Sequence, residues 1–164
     1  MKKIAAILVL GVGVAIGAFA ATSGNLTLTG TVAQNLSITV TPAAVASALD
    51  LTTAQNNLAV ATITEVSNSH LGYTVTVSSA NAVSASSSTP DFTSATSADT
   101  LGYSLTYGGT PVTFTSGVAT VTSASAKTPA GGVTNTLGLT YDGSTANLSA
   151  GTYSDTLTFT ITAN

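Results

Sequence analysis

The sequence predicts an all-β protein, an antiparallel immunoglobulin-like β-sandwich of about seven or eight strands. Apolar and hydroxyl residues alternate at a period of two in many short segments, which is the pattern of half-buried strands. The chain of 164 residues holds 32 Thr and 20 Ser. Thr is β-branched and suits a pleated surface with one wet face. Turn residues separate the alternating segments.

The predicted strands follow one another along the chain. The first segment places Leu26, Leu28, Val32, Leu36, Ile38 and Val40 on one face. Later segments cover residues 58–66, 71–77, 101–107, 112–114, 118–122, 137–141 and 153–161. Gly108-Gly109 and Asp142-Gly143 predict hairpin turns, because both dipeptides tolerate positive φ. Residues 43–55 allow one short helix or an irregular crossover, and residues 80–100 and 123–133 are predicted to be loops.

Residues 1–20 have the pattern of a secretory signal peptide. Lys2 and Lys3 precede an uncharged apolar run, and Ala18-Phe19-Ala20 fits a small-x-small cleavage site before Ala21. The alternative is a retained membrane anchor, for which the apolar run of about 16 residues is short. We expect export to the cell surface or medium, with no membrane contact after cleavage.

Composition excludes several functional classes. The chain has no Cys and no Arg, and only 5% of its residues are charged. It cannot build the basic patch that a nucleic-acid-binding protein needs. Cysteine-based metal sites and disulfides are excluded as well. Without the signal peptide, Lys127 is the only cation beside six carboxylates. We expect no nucleic-acid partner and no cofactor.

Residues suited to catalysis or metal binding are few. His70 is the only histidine, and no Gly-x-Ser-x-Gly motif supplies a nucleophile. The carboxylates are scattered and form no calcium loop, although Asp91 and Asp99 flank one predicted loop and could share an ion. Lys127 could join an Asn in an isopeptide bond, but a solvated position in its polar loop is favoured. We therefore expect no enzyme activity and no metal site.

The closing segment carries a family resemblance. Residues 150–162 contain the motif Gly151, Thr152, Tyr153, Asp155 and Thr156, followed by an alternating strand. This segment resembles the closing strand of the spore coat protein U-like domain, a family that includes subunits of archaic chaperone–usher pili. An alternating N-terminal segment leading into Ser37-Ile38-Thr39-Val40-Thr41-Pro42 is similar too. Family members usually carry cysteines, which this chain lacks.

The resemblance implies a structural subunit of an extracellular fibre or coat. Such a subunit is an incomplete sandwich that is completed by β-strand addition, first from a periplasmic chaperone and then from a neighbouring subunit. An outer-membrane usher and head-to-tail self-assembly are implied as well. Residues 35–164 would form the sandwich and residues 21–34 the donor strand. The residues expected to enter its pockets share one parity: Leu26, Leu28, Gly30 and Val32.

Two alternatives remain open at this level. Residues 21–34 could pair as a first strand within their own sandwich, or could be a disordered end, because periodicity fits a strand in either place. The protein could also be a monomeric secreted binding module or adhesin for a surface glycan or host ligand. A closed sandwich with a polar or aromatic loop site would favour that function, whereas a strand-length apolar groove would favour the fibre.

Overall fold

The computed structural model describes residues 22–164, so the predicted signal peptide lies outside the described residues. The chain divides into two units, residues 1–32 and residues 33–164. Residues 22–32, the described part of the first unit, contain no helix or strand. Within residues 22–164, no helix is long and apolar enough to span a membrane.

Ten strands and two short helices lie within residues 33–164. The strands are β1 (Leu36–Pro42), β2 (Ala54–Ser67), β3 (Tyr73–Ser79), β4 (Asp91–Ser94), β5 (Thr100–Tyr107), β6 (Thr110–Pro111), β7 (Val118–Ala124), β8 (Val133–Asp142), β9 (Tyr153–Ser154) and β10 (Leu157–Ala163). A 3-10 helix (Ala44–Ser47) follows β1, and helix α1 (Ala80–Ala85) follows β3.

The strands form two antiparallel sheets, which confirms the predicted sandwich. The larger sheet has the order β1-β2-β8-β5-β4-β9, with β6 paired to the other end of β5. The smaller sheet has the order β10-β3-β7. Strands β1 and β9 are therefore the edges of the larger sheet, and β10 and β7 are the edges of the smaller one.

The core lies between the two sheets. Ile63 of β2 and Val75 and Val77 of β3 are completely buried. Aromatic residues fill the space around Phe92, whose ring centroid lies 4.7 Å from that of Tyr103. The alternation predicted from the sequence is visible in β5, where Leu101, Tyr103, Leu105 and Tyr107 are buried and the residues between them are more exposed. Period-two patterning thus correctly identifies the buried face.

Residues 80–100, predicted to be a loop, contain α1 and β4, so that prediction is wrong. The Ser79 side chain caps the helix by accepting a hydrogen bond from the Ala82 N–H at 3.0 Å. Strand β4 then pairs with β5 and β9. A helix of six residues and a strand of four are too short to show a clear period.

The two predicted hairpin turns have different outcomes. Gly108 and Gly109 have φ of +55° and +83° and join β5 to β6, as expected. Asp142 instead begins a longer connection, where its carboxylate accepts hydrogen bonds from the N–H and hydroxyl of Ser144. The next strand, β9, pairs with β4 and not with β8. The strand predicted at residues 112–114 is also wrong, because β6 ends at Pro111.

Candidate functional site

Among residues 22–164, no strand pairs with the second edge of the last strand, β10, so that edge is open. The Ala80 N–H donates to the Thr156 carbonyl at 2.9 Å, and the Asn164 N–H donates to the Gly72 carbonyl at 3.1 Å. In an antiparallel pair, every second residue forms backbone hydrogen bonds with the partner strand. Thr156 and Asn164 do so, and the even-numbered residues between them therefore also bond to β3. The odd-numbered residues turn their N–H and C=O groups to the open edge. These are Leu157, Phe159, Ile161 and Ala163, whose side chains face the core.

The first strand, β1, has a similar open edge. The Asn68 N–H donates to the Asn35 carbonyl, and the Ala43 N–H donates to the Val60 carbonyl. Odd-numbered residues of β1 therefore form backbone hydrogen bonds with β2. The backbone N–H and C=O groups of the even-numbered residues point away from β2. Val40 is one of these, and 43% of its surface is exposed although it belongs to the apolar face.

An open groove of about 600 Å³ lies between β1 and β10. It is lined on one side by Leu157 and Phe159 and on the other by Val40, Pro42 and five residues of the connection that follows β1: Ala43, Ala44, Ala46, Ser47 and Leu49. Residues of the larger sheet form its floor: Val60, Ala61, Tyr103, Leu137 and Leu139, together with Phe92. The lining is mostly apolar. The outward-facing backbone groups of Val40, Leu157 and Phe159 border it, and Pro42 adds a carbonyl but no N–H. A segment of extended chain could bond to these groups and bury its own apolar side chains.

Asp155 lies at one end of the groove and links it to the core. Its carboxylate accepts hydrogen bonds from the Ser79 hydroxyl at 2.6 Å and the Tyr103 hydroxyl at 2.5 Å. It also accepts from the N–H groups of Asn81 and Thr156. Burial, then the bond to Asp155, raises the pKa of Tyr103 well above its usual range. Asp155 thereby fixes the start of β10 against both sheets.

Asp91 is the second carboxyl near this end of the groove. Desolvation, then the charge of Asp155, raises the pKa of Asp91 above its ordinary value. This end of the groove is the acidic part of an otherwise apolar site.

No family model matches this chain, and no curated protein matches it either.

The closing motif has a structural part and an exposed part. Tyr153 belongs to β9, and its hydroxyl donates to the Ser149 carbonyl at 2.9 Å. Thr156 bonds to Ala80 through its carbonyl, and Asp155 holds the turn as described above. Gly151 and Thr152 are exposed. The closing motif of five residues is thus a turn that positions β10 beside the groove.

The predicted donor residues lie in the first unit and form no strand there. Leu26, Leu28 and Val32 are 83%, 84% and 90% exposed. A side chain at Gly30 would meet no atom within 4 Å. Three large apolar side chains on one parity of an extended segment are thus left in solvent, although burying each would be favourable by about 2 kcal/mol.

The candidate chemical residues are not brought together. His70 and Lys127 are exposed. The Asp99 carboxylate accepts from the Ser149 N–H at 2.8 Å, and Asp91 lies near Asp155. Within residues 22–164, no group of three or more His, Asp or Glu side chains is placed to hold a metal ion.

Glu65 is a buried carboxylate that the sequence analysis did not single out. Its oxygens accept hydrogen bonds from the Tyr73 hydroxyl at 2.9 Å, the Thr122 hydroxyl at 2.8 Å and the Asn135 amide at 3.4 Å. The Tyr107 hydroxyl also donates to it. Burial, then the bond to Glu65, raises the pKa of Tyr73 to about 12. These five residues, the Glu65 cluster, connect β2, β5 and β8 of one sheet to β3 and β7 of the other.

A signal for Glu65 was present in the sequence. It shares the parity of Ile63 and Ser67, which are buried with it in β2. A lone carboxylate on the apolar face of a strand requires hydrogen-bond donors around it, because burying it unpaired is costly. The groove gave no comparable signal, since it depends on which strands become neighbours.

Proposed function

We propose that this chain is a structural subunit of an extracellular fibre or coat that assembles by β-strand addition. The groove between β1 and β10 carries the proposal. It combines an apolar floor with two strand edges whose unpaired backbone groups belong to core-facing residues. These are the requirements for accepting one further strand: main-chain hydrogen bonds for affinity and pockets for alternate side chains.

The segment proposed to fill the groove is residues 21–34 of a neighbouring copy. Its apolar residues, Leu26, Leu28 and Val32, share one parity and are exposed in the described chain. Gly30 has the same parity and suits a place where a pocket has no room for a side chain. The apolar floor of the groove complements this pattern. Residues 21–34 carry no charged side chain, and the one charged residue that lines the groove, Asp155, lies at its end and is hydrogen-bonded there.

The positions of the groove and of the first residues of the sandwich favour an open polymer. Residues 33–35 lie before Leu36 at one end of β1, and the groove opens beside Val40 and Pro42 at its other end. A strand rises about 3.3 Å per residue, so roughly 15 Å separate the two places. Two different surfaces would meet at each contact, and such heterologous contacts build fibres.

The proposed partners follow from the resemblance to spore coat protein U-like domains. A periplasmic chaperone would cover the groove before assembly, and an outer-membrane usher would export the subunits. The product would be a pilus-like fibre on the cell surface. The low charge and hydroxyl-rich sheet faces suit a durable extracellular polymer. No enzymatic reaction is part of this proposal.

Electrophoresis of the native secreted protein in SDS tests the proposal, with unheated and boiled samples compared. We expect a ladder of multiples that collapses on boiling. Leu28→Asp should abolish the ladder, because it places an unpaired charge in an apolar pocket. Thr29→Asp is the matched control, since its side chain has the opposite parity, and it should keep the ladder.

Two results would contradict the fibre. A single band near the monomer mass in both lanes would indicate a self-complete sandwich. Unfolding of the monomer by Leu28→Asp would place the segment inside its own sandwich.

The second candidate is a monomeric binding module, and one observation favours it. A second groove of about 650 Å³ is more polar and is lined by Asp50, Thr52, Ser149, Thr152 and Tyr153, among others. Hydroxyl and carboxylate groups of this kind suit a glycan. The single-band result above, together with glycan binding that Thr152→Val removes, would support this function instead.

A further inference from the structure

The side chain of Asn68 holds the backbone just before β1. Its Oδ1 accepts a hydrogen bond from the Asn35 N–H at 2.7 Å, and its Nδ2 donates to the Ala33 carbonyl at 2.8 Å. The Asn68 N–H also donates to the Asn35 carbonyl at 3.0 Å. The side-chain amide thus takes the place of a backbone peptide group. It extends the hydrogen bonding between β1 and β2 back to Ala33.

This arrangement is incompatible with the tightest core-facing hairpin between residues 26–32 and β1. Opposite residues of an antiparallel pair place their side chains on the same face of a sheet. Leu28 and Val32 would therefore face the core only opposite even-numbered residues of β1. The tightest such hairpin places Val32 opposite Leu36, with residues 33–35 as a three-residue loop. A two-residue loop would turn Thr27, Thr29 and Thr31 inward instead.

A three-residue hairpin loop normally contains one residue with positive φ. In residues 22–164, the residues other than glycine with positive φ are Asn57, Ser86, Ser116 and Asn147, so Asn35 is not one of them. Forming the loop would change the backbone of residues 33–35. Both side-chain hydrogen bonds of Asn68 would then break.

We propose that Asn68 is a positioning residue that prevents the chain from filling its own groove. A self-inserted hairpin would place Leu28 opposite Val40 and Leu26 opposite Pro42, where the groove is open. Asn68 disfavours that state by fixing residues 33–35, and it leaves the segment available to a neighbour. This inference rests on the proposed strand addition, because it concerns the same segment and the same groove.

Hydrogen exchange of residues 25–32, followed by mass spectrometry, tests the inference on the purified mature chain. Samples are kept dilute enough to be monomeric. In the wild-type protein these amides should exchange without protection. Asn68→Ala should raise the self-inserted fraction about tenfold, a shift that corresponds to about 1.4 kcal/mol. Gln34→Ala is the matched control, because it removes a neighbouring exposed amide and leaves both bonds of Asn68 in place.

A second substitution separates self-insertion from general loosening. In the double variant Asn68→Ala, Leu28→Asp, the gained protection should disappear while β2 and β8 stay protected. If Asn68→Ala fails to fold, Asn68→Asp replaces it. That side chain keeps the acceptor for the Asn35 N–H and loses the donor to the Ala33 carbonyl, so it should give a smaller rise.

The outcomes for this inference and for the fibre are distinct. Unchanged exchange of residues 25–32 in folded Asn68→Ala or Asn68→Asp overturns the role of Asn68, whether or not the wild-type protein forms a ladder. Absence of the ladder overturns strand addition between copies, whatever the exchange shows. Protection in the wild-type monomer would also overturn the inference, because Asn68 would then fail to prevent self-insertion.

Discussion

The Glu65 cluster and the groove are two regions of one core, and they differ in how the sheets meet. At Glu65, side chains from four other strands bond to a single carboxylate, and Glu65 is completely buried. At the groove, β1 and β10 border each other with unpaired edges, and Val40 stays 43% exposed. The first region is complete within one chain. The second can bury its apolar residues only if another strand is added.

The largest expected effect concerns the complete region. Glu65→Ala removes the acceptor shared by Tyr73, Tyr107, Thr122 and Asn135, and leaves their buried polar groups without a partner. We expect the free energy of unfolding to fall by about 3–5 kcal/mol. Urea unfolding measures it, and Glu65→Gln, which keeps the shape and one acceptor, should cost about 1–2 kcal/mol. Equal losses in the two variants would contradict the role of the shared acceptor.

A pair of valines compares the two regions directly. Val77→Ala empties a completely buried site and should cost the monomer about 2 kcal/mol. Val40→Ala, at the groove, should change monomer stability by less than about 0.5 kcal/mol. In the polymer the effect of Val40→Ala should be larger than in the monomer, because the added strand then covers Val40. The unheated ladder of Val40→Ala should dissociate at a lower temperature, and an unchanged ladder would show that Val40 does not contact the added strand.

A pH dependence of the Glu65 cluster is also expected. The pKa of Tyr73 is about 12 in the folded chain and about 10 when unfolded. Between these values the unfolded chain releases a proton that the folded chain keeps, so stability should fall as pH rises from about 10 to 12. Thermal unfolding at several pH values measures the slope. Tyr73→Phe should make it shallower, and an unchanged slope would assign the effect to other tyrosines.

The fold was largely predictable because strands that are half buried must alternate. The alternation of residues 101–107 appears unchanged in β5, and the Gly108-Gly109 turn follows from the positive φ that such a turn needs. The hairpin turn predicted at Asp142-Gly143 was wrong because the same dipeptide also begins longer loops. The local sequence does not specify which strand the next strand pairs with. Helix α1 was missed because six residues are too few to show a helical period.

The site was only partly predictable. The parity of Leu26, Leu28, Gly30 and Val32 identifies a segment with one apolar face, but the groove exists because β10 pairs with β3 and leaves its other edge open. That pairing joins residues about 80 positions apart in the sequence. Similarly, the sequence shows a carboxylate on an apolar face at Glu65, whereas its donors come from four other strands.

The surroundings of Lys127 bear on how long such a protein would last outside the cell. Trypsin-like proteases cut after Lys or Arg, and Lys127 is the only such residue in residues 22–164. Thr128, on the other side of that peptide bond, is buried, and its N–H donates to the Ser67 carbonyl at 2.9 Å. Its hydroxyl bonds to the backbone of Ser67 as well. The one such cleavable bond is therefore held against β2. A protease can cut it only after the hydrogen bonds between Thr128 and Ser67 have broken.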